Sequence, residues 1–463
     1  MMQSRRDFLN TAWMGAAALA AGGCVTKGWS TAGGVMAAYA DKPISNLRIG
    51  VVALGRGSNA LHFASIPGCT ITALCDPTPV RLQRALDKLK AKGAPEPKTY
   101  TDAEGWKRLC EDPDVDLVYN ATPWQFHVPI ALYAMEHGKH VVTEVPSAFT
   151  VEECWQLVET SERTQRHCMQ LENCCYGENE MLCMNLVRLG LLGEIVHGEG
   201  AYIHDLRSMN YSEFLKGGYW DDWRLRHNIK HAGNAYPTHG LGPIALCMDI
   251  NRGDRFDYIV SVDSKQASFE LFGRECRAQD PWLSKQKVDM GDMNSSIIKT
   301  ALGRTILVQH DIANPRPYSR LNTLSGTKGI LMDYPLRIAL EETPGSGAHS
   351  FDAKKTEEIR QKYRHPLWKT AGEIAKKVGG HGGMDFLMVL RLAYCLQNGL
   401  PLDMNVYDLA SWCCLCELTE TSARNRGRSM DVPDFTRGGW KTAKPLGLVD
   451  VDLGKMNFDA KKA

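Results

Sequence analysis

With 463 residues the chain exceeds one ordinary core and is expected to form about two domains, large enough to enclose a pocket. Its 54 Lys and Arg balance 53 Asp and Glu, so no basic excess argues for nucleic acid or an anionic membrane surface, and a small neutral ligand suits the balance. The 15 cysteines include Cys174-Cys175 and Cys413-Cys414-x-Cys416 in apolar runs, without the paired C-x-x-C spacing and histidines of a zinc site; most read as small buried residues, and no metal is expected.

Residues 1–25 read as an export signal. Ser4-Arg5-Arg6-Asp7-Phe8-Leu9 resembles the twin-arginine motif, and the Ala-rich segment from Thr11 to Ala21 is too short for a permanent bilayer span. An amphipathic N-terminal helix is the competing reading, disfavoured because no polar face repeats. Ala21-Gly22-Gly23-Cys24 resembles a loose lipoprotein cleavage site, which leaves a lipid anchor on Cys24 open. The expected location is the periplasm or cell envelope. Residues 26–44 read as a polar linker.

The stretch Asn46 to Gly57 then reads as a strand breaking into Leu54-Gly55-Arg56-Gly57 before a helix-like segment. A dinucleotide pyrophosphate fits such a turn, because glycines let backbone N–H groups and a helix N-terminus approach phosphate oxygens. The fingerprint is imperfect, since Ala53 stands where its first glycine belongs. The run Thr70 to Cys75 ends in Asp76, placed to accept from an adenosine ribose hydroxyl and to repel a 2′-phosphate, so the expected cofactor is NAD. A helix-capping Asp before Pro77 is the competing reading. A helix over Pro79 to Lys92, a strand over Val115 to Ala121, a helix over Val128 to His137 and a strand over His140 to Thr143 continue the alternation. The fold class is therefore α/β, a Rossmann-type dinucleotide-binding domain over residues 45–176. A helix over Val151 to Arg166 and another reaching Leu191 follow. From Glu194 to about Leu340 the chain reads as extended runs (Ile195 to Ile203, Phe256 to Val262, Ser295 to Gln309, Gly329 to Met332) broken by turns and not by regular helices. That makes residues 177–430 an α+β domain with a largely antiparallel sheet. Its C-terminal helices, Met384 to Gln397 and Val406 to Ser422, are expected to pack back on the first domain, and 431–463 reads as a tail.

The glycine turn, Asp76, Ala121-Thr122-Pro123-x-x-x-His127, Glu144-x-Pro146 and a following sheet domain together resemble the Gfo/Idh/MocA oxidoreductase-like family over about residues 46–430. Within it, three strings resemble glycoside hydrolase family 109, the NAD-dependent α-N-acetylgalactosaminidases. They are Gly233-Asn-Ala-Tyr-Pro-Thr-His-Gly-Leu-Gly-Pro243, Pro315-Arg-Pro-Tyr-Ser-Arg320 and Gly379-Gly-His-Gly-Gly383. Two departures from the broader family accompany them. Val145 replaces the lysine of Glu-Lys-Pro, and His239 is followed by Gly-Leu-Gly-Pro where an Asp and His four apart are usual.

The resemblance implies NAD contacts at Gly55, Arg56, Gly57, Asp76, Trp124, Gln125, Phe126, His127, Glu144, Val145 and Asn173. It implies sugar contacts at Tyr202, Arg224, Tyr236, Pro237, Thr238, His239 and Tyr318. Packing for the aromatics, a cap for His127 and a salt bridge of Arg224 with Asp221 or Asp222 are the plainer alternatives. It also implies a redox-neutral hydrolysis of terminal N-acetylhexosaminides by oxidation at C3, elimination across C1 and C2, and water addition. Such a cycle needs a proton mover near neutrality, which favours histidine: His381 first, with His239 and Tyr202 next. An exported NAD-dependent sugar dehydrogenase is the alternative, and assembly as a homo-oligomer stays open.

Overall fold

The structure, a computed structural model, describes residues 34–213, 216–343, 345–346 and 350–458. The Ser4 to Leu9 motif and Cys24 lie outside them.

The first sheet has six parallel strands: β1 (Leu47–Val52), β2 (Cys69–Cys75), β3 (Lys98–Tyr100), β4 (Leu117–Asn120), β5 (His140–Thr143) and β6 (Cys168–Gln170). Their spatial order is β3-β2-β1-β4-β5-β6, which places the switch in connection direction between β1 and β4. β4, β5 and β6 are buried at every position, so they read as apolar runs without alternation. Helices Pro79–Ala91, Gly105–Glu111, His127–Glu136 and Val151–Thr164 return the chain between strands. The last begins in a reciprocal cap, Thr150 accepting from the Glu153 N–H while Glu153 accepts from the Thr150 N–H.

The second sheet contains β7 (Ile195–Ile203), β8 (Phe256–Asp263), β9 (Asn294–Thr300), β10 (Thr305–Asp311), β11 (Thr323–Gly326), β12 (Gly329–Met332), β13 (Arg337–Leu340) and β14 (Met430–Asp431). Its order is β13-β12-β11-β7-β10-β9-β8-β14, antiparallel throughout except for β7 against β10.

Three expectations are corrected. The region from Glu194 to Leu340 is not free of helices: it holds Arg207–Tyr211, Trp223–Lys230, Thr238–Cys247 and Ser268–Cys276. Thr238–Cys247 contains Gly240, Gly242 and Pro243, poor helix formers, and tertiary packing imposes its helix. A Cβ on Gly240 would collide with the Ala201 backbone, and one on Gly200 with the Gly240 carbonyl, so the helix lies backbone to backbone on β7. Second, Val406 to Ser422 divides into two helices. Val406–Cys413 packs on Val151–Thr164 and β6, whereas Leu415–Arg424 packs on β8. Third, the described parts of the expected linker and tail, residues 34–44 and 431–458, pack on the rest of the fold. Met36 is buried with its N–H donating to Tyr407 Oη, Asp41 meets Arg166, and Val432, Phe435, Val449, Val451 and Met456 are buried.

One apolar cluster runs through both sheets. A second gathers Trp124 and Val145 from the loops beyond β4 and β5 with Tyr202, Tyr236, Leu225 and Phe269. The described cysteines are unbridged, and all but Cys69 and Cys276 are buried.

Candidate functional site

Beyond the end of β1, Ala53 has φ 67°, the left-handed backbone that a glycine adopts freely. The fingerprint therefore departs in residue type while the chain keeps the conformation. Asp76, buried at the end of β2, holds this turn: Oδ2 accepts from the Leu54 N–H at 2.6 Å and Oδ1 from the Thr78 N–H at 2.7 Å. Each oxygen keeps a second lone pair, so a ribose hydroxyl can be accepted beside the backbone. Gly55 leads into a 3₁₀ helix, Arg56–Ser65. Gly57 is a packing glycine, since a Cβ there would press on Ala121 Cβ at 3.2 Å and Val51 Cγ1 at 3.3 Å. The turn, the following helix and Asp76 form the cradle that a pyrophosphate and an adenosine ribose need.

The loops beyond β4 and β5 carry the next set of expected contacts, and they differ among themselves. Trp124 is buried against Phe149, Trp223, His227 and Tyr236, with Nε1 donating to the Val145 carbonyl. Gln125 and Phe126 are exposed on the short turn Trp124–Phe126. His127 has both ring nitrogens on backbone carbonyls, Pro146 at 2.9 Å and Thr122 at 2.8 Å, and burial lowers its pKa to about 4. It lies between the two loops, and its neutral ring can donate to only one of the two carbonyls. Glu144 is partly buried and accepts from Tyr119 Oη at 3.1 Å; desolvation raises its carboxyl, opposed by Arg56 at 3.9 Å.

Arg56 also reaches toward His381. The loop from Gly379 to Gly383 has positive φ at five consecutive residues, His381 among them at 45°. Its glycines thus satisfy a left-handed path between helices Pro366–Val378 and Met384–Asn398, and the imidazole is held in place. His381 Nδ1 meets Asp385 Oδ2 at 2.8 Å. Asp385 is buried in the first turn of helix Met384–Asn398 and also accepts from Asn59 at 3.0 Å and Asn173 at 2.5 Å. Burial alone would raise its carboxyl, but His381, Arg56 and Asn173 hold it below the ordinary value.

On the second-sheet side, His239 is the second residue of helix Thr238–Cys247, just after Pro237. Its Nδ1 lies 2.8 and 3.0 Å from the oxygens of the fully buried Glu172. A carboxylate only accepts, so Nδ1 carries the proton and Nε2 keeps a lone pair. Burial would raise Glu172, yet His239, the Thr238 hydroxyl and the Cys174 N–H lower it. The Cys174 sulfur joins Glu172 and His239 in a buried group whose donor atoms lie within 4.8 Å, a spacing that cysteine positions alone did not show. Burial pushes that thiol well up, and the carboxylate is already bonded to the imidazole. Around His239 stand Tyr202 and Tyr236, stacked on each other at 4.5 Å and edge-on to the imidazole at 5.2 and 4.8 Å. Burial raises the Tyr202 phenol to about 12, with Arg224 opposing.

Arg224 forms no ion pair with Asp221 or Asp222; Asp221 pairs with Arg226 and Asp222 with Arg277. Its guanidinium is buried among Trp124, Tyr219 and Tyr236, 4.9, 5.5 and 5.0 Å from their ring centres. Nη1 donates to Tyr219 Oη at 3.0 Å, while Nε and Nη2 have no hydrogen-bond partner among the described residues. Two buried donors left open in an aromatic box are a costly feature unless a ligand oxygen takes them. Tyr318 completes this side, with Arg320 donating to its hydroxyl at 2.9 Å and also pairing with buried Glu180.

His204 connects the two histidine groups. It meets Tyr202 Oη at 3.2 Å and Tyr318 edge-on at 5.1 Å. Burial lowers its pKa, and Arg224, His239 and His381 each add to the shift. His204, Glu172 and Asp385 escaped the sequence reading. Each lies within four residues of an expected contact: two past Tyr202, beside Asn173, and one helical turn past His381.

Comparisons with known proteins agree with this division. Residues 47–171 match the oxidoreductase family with an NAD-binding Rossmann fold, and residues 176–442 match the C-terminal domain of glycosyl hydrolase 109. An alpha-N-acetylgalactosaminidase of Bacteroides fragilis is 46% identical over 405 residues, 87% of this chain and 95% of the relative. A glycosyl hydrolase family 109 protein of Solibacter usitatus is 45% identical over 449 residues, 96% and 99% of the two chains. Among solved structures, a levoglucosan dehydrogenase with NADH and levoglucosan superposes with a TM-score of 0.60 at 19% identity, over 84% of this chain and 99% of that one. An aldose-aldose oxidoreductase of Caulobacter crescentus gives 0.56 at 18%, over 84% and 100%. At those identities the likeness concerns fold.

Proposed function

The chain belongs to glycoside hydrolase family 109, and from that premise we propose that it hydrolyses terminal α-N-acetylgalactosaminides, the activity named for the Bacteroides fragilis relative. The observation that carries the reading is Arg224, with two buried donors open beside Tyr202, Tyr236 and His239. A sugar supplies what they lack: ring hydroxyls and an acetamido oxygen as acceptors, and an apolar face for the tyrosine rings.

The first domain binds NAD. The Ala53 to Gly57 turn would hold its pyrophosphate, Asp76 its adenosine ribose, and Arg56, Glu144, Val145 and Asn173 its inner end. NAD supplies a reversible hydride acceptor for C3 of the sugar, so the cycle ends without net oxidation. The protein's own part is to bind, orient and move protons. His239, with Nε2 open and Nδ1 bonded to Glu172, and Tyr202 serve the C3 oxygen. His381 serves the C2 proton or the departing C1 oxygen, because a ketone at C3 makes C2 acidic and the leaving group needs a proton. Val145 lies buried where a lysine would relay protons in a sugar dehydrogenase. Asp76 supports preference for NAD over NADP, since a 2′-phosphate would face its carboxylate.

The test is turnover of p-nitrophenyl α-N-acetylgalactosaminide by the holoenzyme in deuterated buffer. Nitrophenol release without net NADH, with deuterium at C2 of the sugar, is expected. NADH accumulation without cleavage would identify a dehydrogenase, and cleavage without C2 label would indicate direct displacement by two carboxylates. Export to the cell envelope rests on Arg5-Arg6, and the Lys-Lys variant should stay in the cytoplasm. A lipid on Cys24 would appear as a mass increase lost in Cys24→Ala.

A further inference from the structure

Asp385 sits where three parts of the chain converge: Asn59 on the helix after the nucleotide turn, Asn173 at the end of β6 and His381 on the glycine loop. Three donors on one buried carboxylate leave it little freedom. Oδ1 faces Asn173, while Oδ2 is shared by Asn59 and His381. Because a carboxylate only accepts, the shared contact requires a proton on His381 Nδ1. Arg56 Nη2 stands 3.4 Å from the same nitrogen, and a guanidinium cannot donate to a nitrogen that already carries hydrogen. Of the two neighbours, the carboxylate at 2.8 Å is therefore the partner and Arg56 is a nearby cation.

We infer that Asp385 is a positioning residue: it fixes His381 in the tautomer that presents Nε2 with a free lone pair to the cleft. The groups facing His381 divide by sign. Asp385 is the anion beside it at 2.8 Å, Arg56 the cation at 3.4 Å, and His204 an ionisable neighbour. Asn59 and Asn173 add no charge but hold the carboxylate at its distance. The same contacts bring the two imidazole–carboxylate pairs together along the chain, since Asn173 is one residue from Glu172, the partner of His239. An imidazole at positive φ on a loop of glycines would otherwise sample several directions. The inference rests on the glycosidase reading only for what the proton is used for; the tautomer stands apart from it.

The experiment uses the NAD-loaded holoenzyme with ¹⁵N-labelled histidine, wild type and Asp385→Asn. The expected wild-type spectrum shows His381, assigned by its loss in His381→Gln, protonated at Nδ1 and unprotonated at Nε2. Asp385→Asn can donate from its amide, so the signal should change to the Nε2-protonated form while bound NAD stays near one per chain. Turnover should fall on the order of 10²- to 10⁴-fold with KM little changed. It should fall no further when Asp385→Asn is added to His381→Ala, because the carboxylate acts through the imidazole. A wild-type His381 protonated at Nε2, or losses that multiply in the double variant, would overturn the inference. If the variant sheds NAD, Asn59→Ala in its place keeps the test open. It leaves the Asn173 contact intact and should loosen the His381 signal toward a mixture of tautomers; an unchanged signal there also counts against it. Should the glycosidase reading fail, the spectra still decide the tautomer.

Discussion

Two imidazole–carboxylate pairs serve this cleft, and they are built in opposite ways. His239 has a side chain only 11% exposed, on a helix pressed backbone to backbone onto β7, against a carboxylate with no exposure. His381 has a side chain 47% exposed, on a loop of five left-handed residues, against a carboxylate borrowed from the next helix. The first is rigid because there is no room to move, the second because one hydrogen-bonded carboxylate holds a loop that would otherwise be free. On the proposed reading the difference would suit different work: a proton kept inside the cleft by His239, and one moved at the more exposed His381.

Breaking each pair gives the largest effects. His239→Ala and His381→Ala should each lower turnover on the order of 10² to 10⁴ with NAD retained. If His381 protonates the leaving oxygen, its loss should shrink on an activated aryl glycoside, while that of His239→Ala persists. Equal losses on both substrates would give the two histidines one role. Next is the helix floor. Gly240→Ala places a methyl against backbone that cannot rotate away, at a cost of about 3 kcal/mol, read as a lowered denaturation midpoint.

Acid sharpens the contrast from the buried side. Burial lowers His127 from 6.5 to about 4 and His310 to about 3. The unfolded chain therefore binds protons that the fold refuses. The stability held above pH 6.5 is lost as pH falls toward 4, by roughly 3 kcal/mol for His127 alone. Thermal melts should flatten above pH 7 and fall steeply below 6.5, less steeply in His310→Phe. The smallest effect lies in the loop. Gly382 has φ 73° and open space around it, so Gly382→Ala should cost about 1 kcal/mol and leave turnover near wild type. A large loss there would mean that the loop must move.

The cofactor half was readable in the sequence because its signals are local. β2, β4 and β5 stand where apolar runs predict, to within about two residues, and the turn and Asp76 follow from spacing. Ala53 shows the limit, since a motif reports residue type while phosphate approach depends on φ. The sugar half hides for two reasons. Helix Thr238–Cys247 contradicts its own propensities, and only the matching Gly200 on β7 explains it. The Glu172 carboxylate is a tertiary partner: it is 67 positions from His239, and nothing in Gln170-Leu-Glu-Asn173 announces which imidazole it will meet.

The second apolar cluster has a kinetic meaning. Trp124 and Val145, from loops expected to contact NAD, are buried together with Tyr202 and Tyr236 from the second-sheet side. Parting the two halves would expose a continuous aromatic surface to water, an opening too unfavourable to repeat at each turnover. The dinucleotide should then behave as a resident group that leaves slowly and returns to its starting oxidation state in place. Activity measured after extensive dilution should be insensitive to added NAD, and labelled NAD should exchange in over many turnovers, a rhythm foreign to dehydrogenases that release their coenzyme each cycle.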